Sequence, residues 1–294
     1  MNKAYDKKWT TTASRAVYFG LYAAVYVLAA GLYAVLPITD PVWRMATAGA
    51  GATLLLYAAG LLLKNSGTYD VYWSLTPVLA AVWWTTEFNA WSHPRAVLSV
   101  FVTALWGLRL TYNWTSHFRS FDVEDWRYVD MRKKTGQAYP LASFFALYGL
   151  PFVLVTFGFV PLHAAITSTT ALHVLDITSL VLGVVAVVLE TISDVQLTHF
   201  RRTNKDPEAF LCSGLWAYSR HPNYCGEMFY WWASALFGLA VTFSIYMMIA
   251  ALGVTAMINF ASIPMAEERA LAKRPRYADY QRRVSRIIPF FRWS

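Results

Sequence analysis

Apolar tracts long enough to cross a lipid bilayer recur along this chain, and they restrict the fold more than any other feature. A transmembrane helix needs about 20 mainly apolar residues. Candidates are Val17–Leu36, Met45–Leu63, Val71–Trp91, Ala96–Tyr112, Ser143–Leu162 and Val174–Leu197. The tract Phe229–Met265 is too long for one span and just long enough for a tight hairpin of two. The pattern predicts an all-α, polytopic transmembrane bundle of eight helices, with seven as the alternative. Val71–Trp91 is the weakest span, because Asp70 and Glu87 lie near its ends. Composition agrees: 57% of residues are hydrophobic and 14% charged, against roughly 25% charged in soluble domains. Thirteen Trp and eighteen Tyr suit a chain that crosses the headgroup region many times.

The placement of charge sets the expected orientation. With eight spans, 22 of the 25 Lys and Arg fall on one side, Arg44 and Arg95 fall on the other, and Arg109 sits inside a helix. The positive-inside rule then puts both termini in the cytoplasm, of either a bacterial inner membrane or an endoplasmic reticulum. The polar start and the long apolar run after it read as an uncleaved signal-anchor. The net charge of +8 is explained by this asymmetry, so no nucleic-acid partner is expected; the expected surroundings are membrane lipid. Asn113-Trp114-Thr115 matches a glycosylation sequon that would face the unmodified side. Three long segments, Asn113–Ala142, Thr198–Met228 and Ala266–Ser294, share the basic face, and a functional site is expected there. Cys212 and Cys225 face a reducing compartment and are expected as free thiols.

Several polar residues stand out against this background. Glu190 and Asp194 lie four apart on one helix face, and a carboxylate at membrane depth is a functional hypothesis by default. Arg109, inside Ala96–Tyr112, needs anionic partners; pairing with Asp70 or Glu190 is the purely structural alternative. Asp70 opens a helix beside Tyr69 and Tyr72, where an acid and phenols can hold or deliver a proton. It also suits a helix N-terminus electrostatically. The segment Gly214–Glu227 gathers Arg220, His221, Asn223, Tyr224 and Glu227, with Pro222 placed for a first helical turn. The histidines are scattered without ligand spacing, and there is no Gly-x-Gly-x-x-Gly or Walker loop, so no metal centre is expected. The arginines of the basic face suit either nucleotide phosphates or lipid headgroups.

The Ser-Arg-His-Pro-Asn-Tyr-x-Gly-Glu run (Ser219 to Glu227) resembles the DUF1295 proteins, membrane relatives of the steroid 5α-reductases. Also matching are Tyr69 to Ser74, Trp106 to Leu110, Glu124 to Tyr128, the Glu190–Asp194 helix, and Glu267-Glu268 with Tyr277, Tyr280 and Pro289. The likeness covers residues 45–292, as one reductase-like membrane domain over 45–294. Residues 1–44, with the first helix, look like an addition. The Arg-His-Pro-x-Tyr-x-Gly element occurs also in isoprenylcysteine carboxyl methyltransferases.

The resemblance implies an NADPH-dependent reduction of a carbon–carbon double bond in a lipophilic, enone-like substrate. It places Asp70 on the family's catalytic glutamate, and Arg109, Asp194, Arg201, Asn223 and Glu227 on cofactor-binding positions. Arg127 and Tyr128 match a loop arginine and tyrosine that approach the cofactor, and Arg220, His221 and Tyr224 accompany Asn223 in the matched run. The family's catalytic tyrosine falls on Trp106, which has no phenolic proton, so Tyr69 or Tyr112 would replace it, or Asp70 would act with no phenol at all. The alternatives from other classes are an S-adenosylmethionine-dependent membrane methyltransferase and a non-enzymatic lipid-binding or transport protein.

Overall fold

The computed structural model describes residues 9–289. In chain order the helices are α1 Thr11–Val35, α2 Pro41–Leu63, α3 Tyr72–Glu87, α4 Pro94–His117, α5 Trp126–Thr135 and α6 Tyr139–Ser143. They continue with α7 Leu150–Thr167, α8 Val174–Thr203, α9 Pro222–Leu239, α10 Ile249–Met257, α11 Ile263–Lys273 and α12 Tyr277–Arg283. No strand occurs among the described residues; a single β-bridge joins Ser219 to Ser285. Each of the eight expected segments is helical, and the fold is an all-α membrane bundle. Among the described residues, five helical stretches are long and apolar enough to cross a bilayer: Thr11–Val35, Pro41–Leu63, Trp126–Thr167, Val174–Thr203 and Ile245–Lys273. The chain is therefore an integral membrane protein. Of the other three, α3 has only 16 residues, with Pro77 inside it. The last two turns of α4 are polar, as is the first turn of α9.

Local chemistry accounts for the helix ends. Thr10 and Asp40 cap α1 and α2 with their side chains, satisfying amides that have no partner in the helix. His173 and Asp176 form a reciprocal capping box at the start of α8. Pro222 occupies the first turn of α9, where its missing N–H costs nothing. The helix α8 runs six residues past the expected Leu197, to Thr203. Arg201 and Arg202 therefore end a helix rather than begin a loop, and cations there complement the exposed carbonyls. Both cysteines are free.

The chain divides into two compact units: residues up to Ala80 with Leu110–Phe159, and Ala81–Arg109 with the chain from Val160 on. In the first unit, α1 and α2 pack together and the short Ser66–Tyr69 turn is buried beneath them. One face of α1, through Ser14, Tyr18, Tyr22 and Val25, is buried, while Phe19, Val27 and Leu28 are exposed on the other, as a lipid-facing surface requires.

In the second unit, α8 and α9 pack closely because Gly226 has no side chain. A Cβ there would stand 2.5 Å from Glu190 Cγ and 2.7 Å from the Ala186 carbonyl oxygen. A π-helical turn over Ile258–Ser262 separates α10 from α11, and the Asn259 carbonyl accepts a hydrogen bond from Arg286 at 2.6 Å. At the start of α4, Arg95 is fully buried and bonded to both carboxylate oxygens of Asp176 at 2.7 and 2.9 Å. Ser168, Thr170 and the Ala171 carbonyl take its remaining donors.

Candidate functional sites: a buried acid and a carboxylate cluster

In the first unit everything around Asp70 holds it in place. Asn65 bonds the carbonyls of Phe121 and Val123, and its own side chain caps the turn at Gly67. Glu124 accepts from the Ser66 amide at 2.8 Å and binds Arg132 with both oxygens. A Cβ at Gly67 would meet Asn65 Oδ1 at 2.9 Å and Asp70 Oδ2 at 3.2 Å, so the turn needs a glycine there. From this turn Asp70 presents its carboxylate to two donors. Tyr128 O–H donates to Oδ1 at 2.5 Å, and the Trp114 indole N–H donates to Oδ2 at 2.9 Å. Burial raises the Asp70 carboxyl to about 6, against the opposing pull of those two hydrogen bonds and of Arg127.

The sequence places Tyr69 beside Asp70, but its phenol points elsewhere. It bonds the Thr53 hydroxyl at 2.9 Å, and its ring stacks on Tyr72. Tyr112 is 75% exposed. The phenol that meets Asp70 belongs to Tyr128, which the resemblance assigns to the cofactor. Arg127 binds Asp125, the residue that caps α5. The Glu-Asp-Trp-Arg-Tyr motif is thus a clamp: Glu124 holds the turn, Asp125 starts the helix, and Tyr128 reaches the acid.

In the second unit, carboxylates converge on one guanidinium. Arg109 bonds Glu190 at 2.5 Å and also bonds Asp194, so the ion pair expected from the sequence forms with two partners on α8. Asn223 donates to Asp194 at 3.4 Å. Glu227 lies against Glu190 and accepts from the indoles of Trp106 and Trp231 at 3.0 and 2.9 Å. Trp106, where the resemblance expects a phenol, is buried and stacked on Tyr230 with centroids 3.7 Å apart. Glu190, Asp194 and Glu227 thus gather around Arg109, and Arg201 also lies within the field of Asp194. Arg201 is exposed near the end of α8.

Arg220 and His221 are drawn away from that cluster. Arg220 bonds Glu267 at 2.7 Å and the carbonyls of Gln281 and Val284. His221 Nε2 lies 3.0 Å from the same Glu267 oxygen, and Tyr224 stacks on the imidazole. Burial holds the His221 imidazole below the ordinary histidine range, although Glu267 pulls the other way. The Tyr-x-x-Tyr motif works on the same segment. Tyr277 and Tyr280 pack on Phe210, and Tyr280 bonds the Trp216 carbonyl. These residues staple the chain end to the strand-like run before α9. Next to them an apolar recess of about 400 Å³ is lined by Leu189, Leu215, Pro222, Cys225, Phe229 and Ile287.

Residues 56–284 match the family described as "Protein of unknown function (DUF1295)". The chain belongs to that steroid 5α-reductase-like family. An uncharacterised protein of Schizosaccharomyces pombe, C594.04c, is 26% identical over 265 residues, covering 80% of this chain and 76% of the relative. No solved structure matches. The matched region takes in both the Asp70 turn and the carboxylate cluster, and it leaves α1 outside.

Proposed function

We propose that this DUF1295 protein is a membrane oxidoreductase that reduces a carbon–carbon double bond of a lipophilic, enone-like substrate with NADPH. The observation that carries the reading is the Asp70–Tyr128 pair. A carboxyl held to about 6 retains part of its proton near neutral pH, where a general acid is most effective. When Asp70 is ionised, the phenol donates to it. When Asp70 is protonated, the same contact reverses, and the phenolic proton is released for a substrate oxygen. The phenol beside the acid is thus that of Tyr128, on α5.

NADPH, when bound, supplies the hydride for such a reduction. The residues of the second unit fit part of that cofactor. Asp194, Glu227 and Asn223 offer acceptors and a donor for a carboxamide and ribose hydroxyls. Arg109 is already shared between two carboxylates, which leaves phosphate contacts to exposed cations such as Arg201. The apolar recess near α9 suits a lipophilic substrate. The charge asymmetry supports cytoplasmic termini, which reporter fusions active only in the cytosol test; a silent fusion at one end overturns that orientation.

One observation favours a second reading. The gathering of Glu190, Asp194 and Glu227 suits a cationic ligand better than a phosphate, and S-adenosylmethionine carries a sulfonium and an ammonium but no phosphate. Thermal unfolding of the purified chain with each cofactor separates the two. Stabilisation by NADPH alone supports the reductase, and stabilisation by S-adenosylmethionine alone transfers the proposal to the methyltransferase.

A further inference from the structure

The helix α1 lies outside the family-matched residues, yet its buried face is bonded to the surroundings of Asp70. Ser14 Oγ accepts from the Phe121 amide at 3.4 Å. Arg15 donates to the Thr115 and Phe118 carbonyls, which close the C-terminal end of α4. Tyr18 O–H donates to the Gly67 carbonyl at 3.1 Å, and Tyr22 O–H donates to the Thr68 carbonyl at 2.9 Å. One turn further, Tyr26 bonds the Thr76 hydroxyl. The Tyr18 ring also lies on the Trp114 indole with centroids 4.4 Å apart, and Phe118 completes a three-ring cluster, 4.7 Å from Trp114 and 5.3 Å from Tyr18. A helix serving only as an anchor would turn apolar side chains inward; beside the buried Val25, Ser14, Arg15, Tyr18, Tyr22 and Tyr26 make polar bonds instead.

We propose that Tyr18 is a positioning residue for Asp70: its ring fixes the Trp114 indole that donates to Oδ2, and its hydroxyl fixes the Gly67 carbonyl in the turn carrying the acid. An indole on one rotatable arm is a directional donor, and a hydrogen bond weakens steeply as its angle departs from linearity. Packing the indole into a cluster with Tyr18 and Phe118 removes its freedom to swing and keeps the N–H aimed. Tyr22, four residues on and stacked on Tyr18 at 4.9 Å, extends the clamp to the next carbonyl. The helix thus acts on Asp70 through Trp114 and the turn, without touching the carboxylate in a bonded contact. The inference rests on Asp70 being the acid of the proposed reduction, but its test needs neither cofactor nor substrate.

Other groups also face Asp70, and the test must keep them constant. They are Arg127, Asp125 and Tyr128 from the α5 region, Tyr18 and Tyr22 from α1, and Tyr148 in the π-helical turn before α7. The measurement is the pH-dependent infrared difference spectrum of the full chain in lipid nanodiscs, with the Asp70 carboxyl band identified by its loss in Asp70→Asn. Trp114→Phe removes a donor to the carboxylate and should raise the midpoint by about half to one pH unit. Tyr18→Leu should raise it by a similar amount, and the double variant should exceed Trp114→Phe by no more than the shift of Tyr18→Phe alone, since the ring acts only through the Trp114 contact. Tyr18→Phe keeps the ring and should shift the midpoint less. Tyr26→Phe loses a hydroxyl on the same helix and should leave the midpoint where it is. If Tyr18→Leu lacks a cooperative thermal transition, Tyr18→Met takes its place. An unmoved midpoint in the folded variant, or shifts that simply add, would overturn the positioning role. A band that survives Asp70→Asn would overturn it as well. Failure of NADPH to bind would sink the reductase reading and leave this titration unchanged.

Discussion

Tyr128 O–H and Asp70 Oδ1 stand 2.5 Å apart, joining the first turn of α5 to the short turn before α3. A phenol and a buried carboxyl in this contact hold one transferable proton between them. Removing the carboxyl's ability to ionise, in Asp70→Asn, should lower turnover about 10²–10⁴-fold, with cofactor binding intact. The pH dependence fixes the sign. The acid must be protonated to work, so wild-type turnover should fall as pH rises through about 6. Folding shows the same proton. Between the ordinary aspartate value and about 6 the native state binds more protons than the unfolded chain, so stability falls as pH rises. Asp70→Asn should abolish that decline, which for a shift from 3.8 to about 6 amounts to about 3 kcal/mol at most. A variant with unchanged turnover would remove Asp70 from the chemistry.

Tyr128→Phe isolates the phenol. The Asp70 carboxylate loses one of its two donors, and a charge-assisted hydrogen bond contributes about 1.5–3 kcal/mol. The Asp70 midpoint should therefore rise by about one unit or more. Turnover should drop further than this shift explains, because the relay to substrate is gone. If the midpoint rises while turnover per protonated enzyme is unchanged, Tyr128 only tunes the acid and delivers no proton.

Much of this was legible in the residues. The apolar tracts located every long helix, because length and hydropathy decide membrane insertion before tertiary packing does. The pairing of Arg109 with acids followed from the need of a buried guanidinium for anions. The partner of Asp70 was not legible in the same way. Tyr69 is next to it in sequence, but neighbours on a turn point in different directions, and Tyr128 arrives from 58 positions away. Trp114 was visible only as part of a sequon. Nor did anything in the sequence mark Tyr18 and Tyr22 as the residues that reach the Gly67 and Thr68 carbonyls. Arg220 and His221 show the converse. Their density of donors suggested a ligand, whereas the Glu267 carboxylate and the carbonyls of Gln281 and Val284 supply the partners.

The carboxylate cluster makes the cofactor test sharper. Arg201→Ala should weaken NADPH binding about tenfold or more if its guanidinium holds a phosphate, measured by the concentration dependence of thermal stabilisation. Arg109→Met should instead leave Glu190 and Asp194 without their cation. Breaking such a pair costs about 3–5 kcal/mol, so the loss should appear as a lower melting temperature even without cofactor. If Arg201→Ala binds NADPH as the wild type does, phosphate recognition lies elsewhere.

Arg95 and Asp176 provide a control in which structure and function separate. Both side chains are buried, the guanidinium is bidentate, and its remaining donors meet Ser168, Thr170 and the Ala171 carbonyl. Asp176 also accepts from the His173 amide at 2.6 Å, so the carboxylate caps α8 as well as pairing. Arg95→Ala leaves that charge uncompensated and should destabilise by about 3–5 kcal/mol. The double variant Arg95→Met with Asp176→Leu removes both charges and keeps apolar volume, so most of that loss should return. The recovery should fall short by about 1 kcal/mol, because the capping bond at the helix start is lost as well. NADPH affinity should be unchanged in the double variant. A double variant no more stable than Arg95→Ala would show that the cap and the hydroxyl network, rather than the ion pair, hold the start of α8.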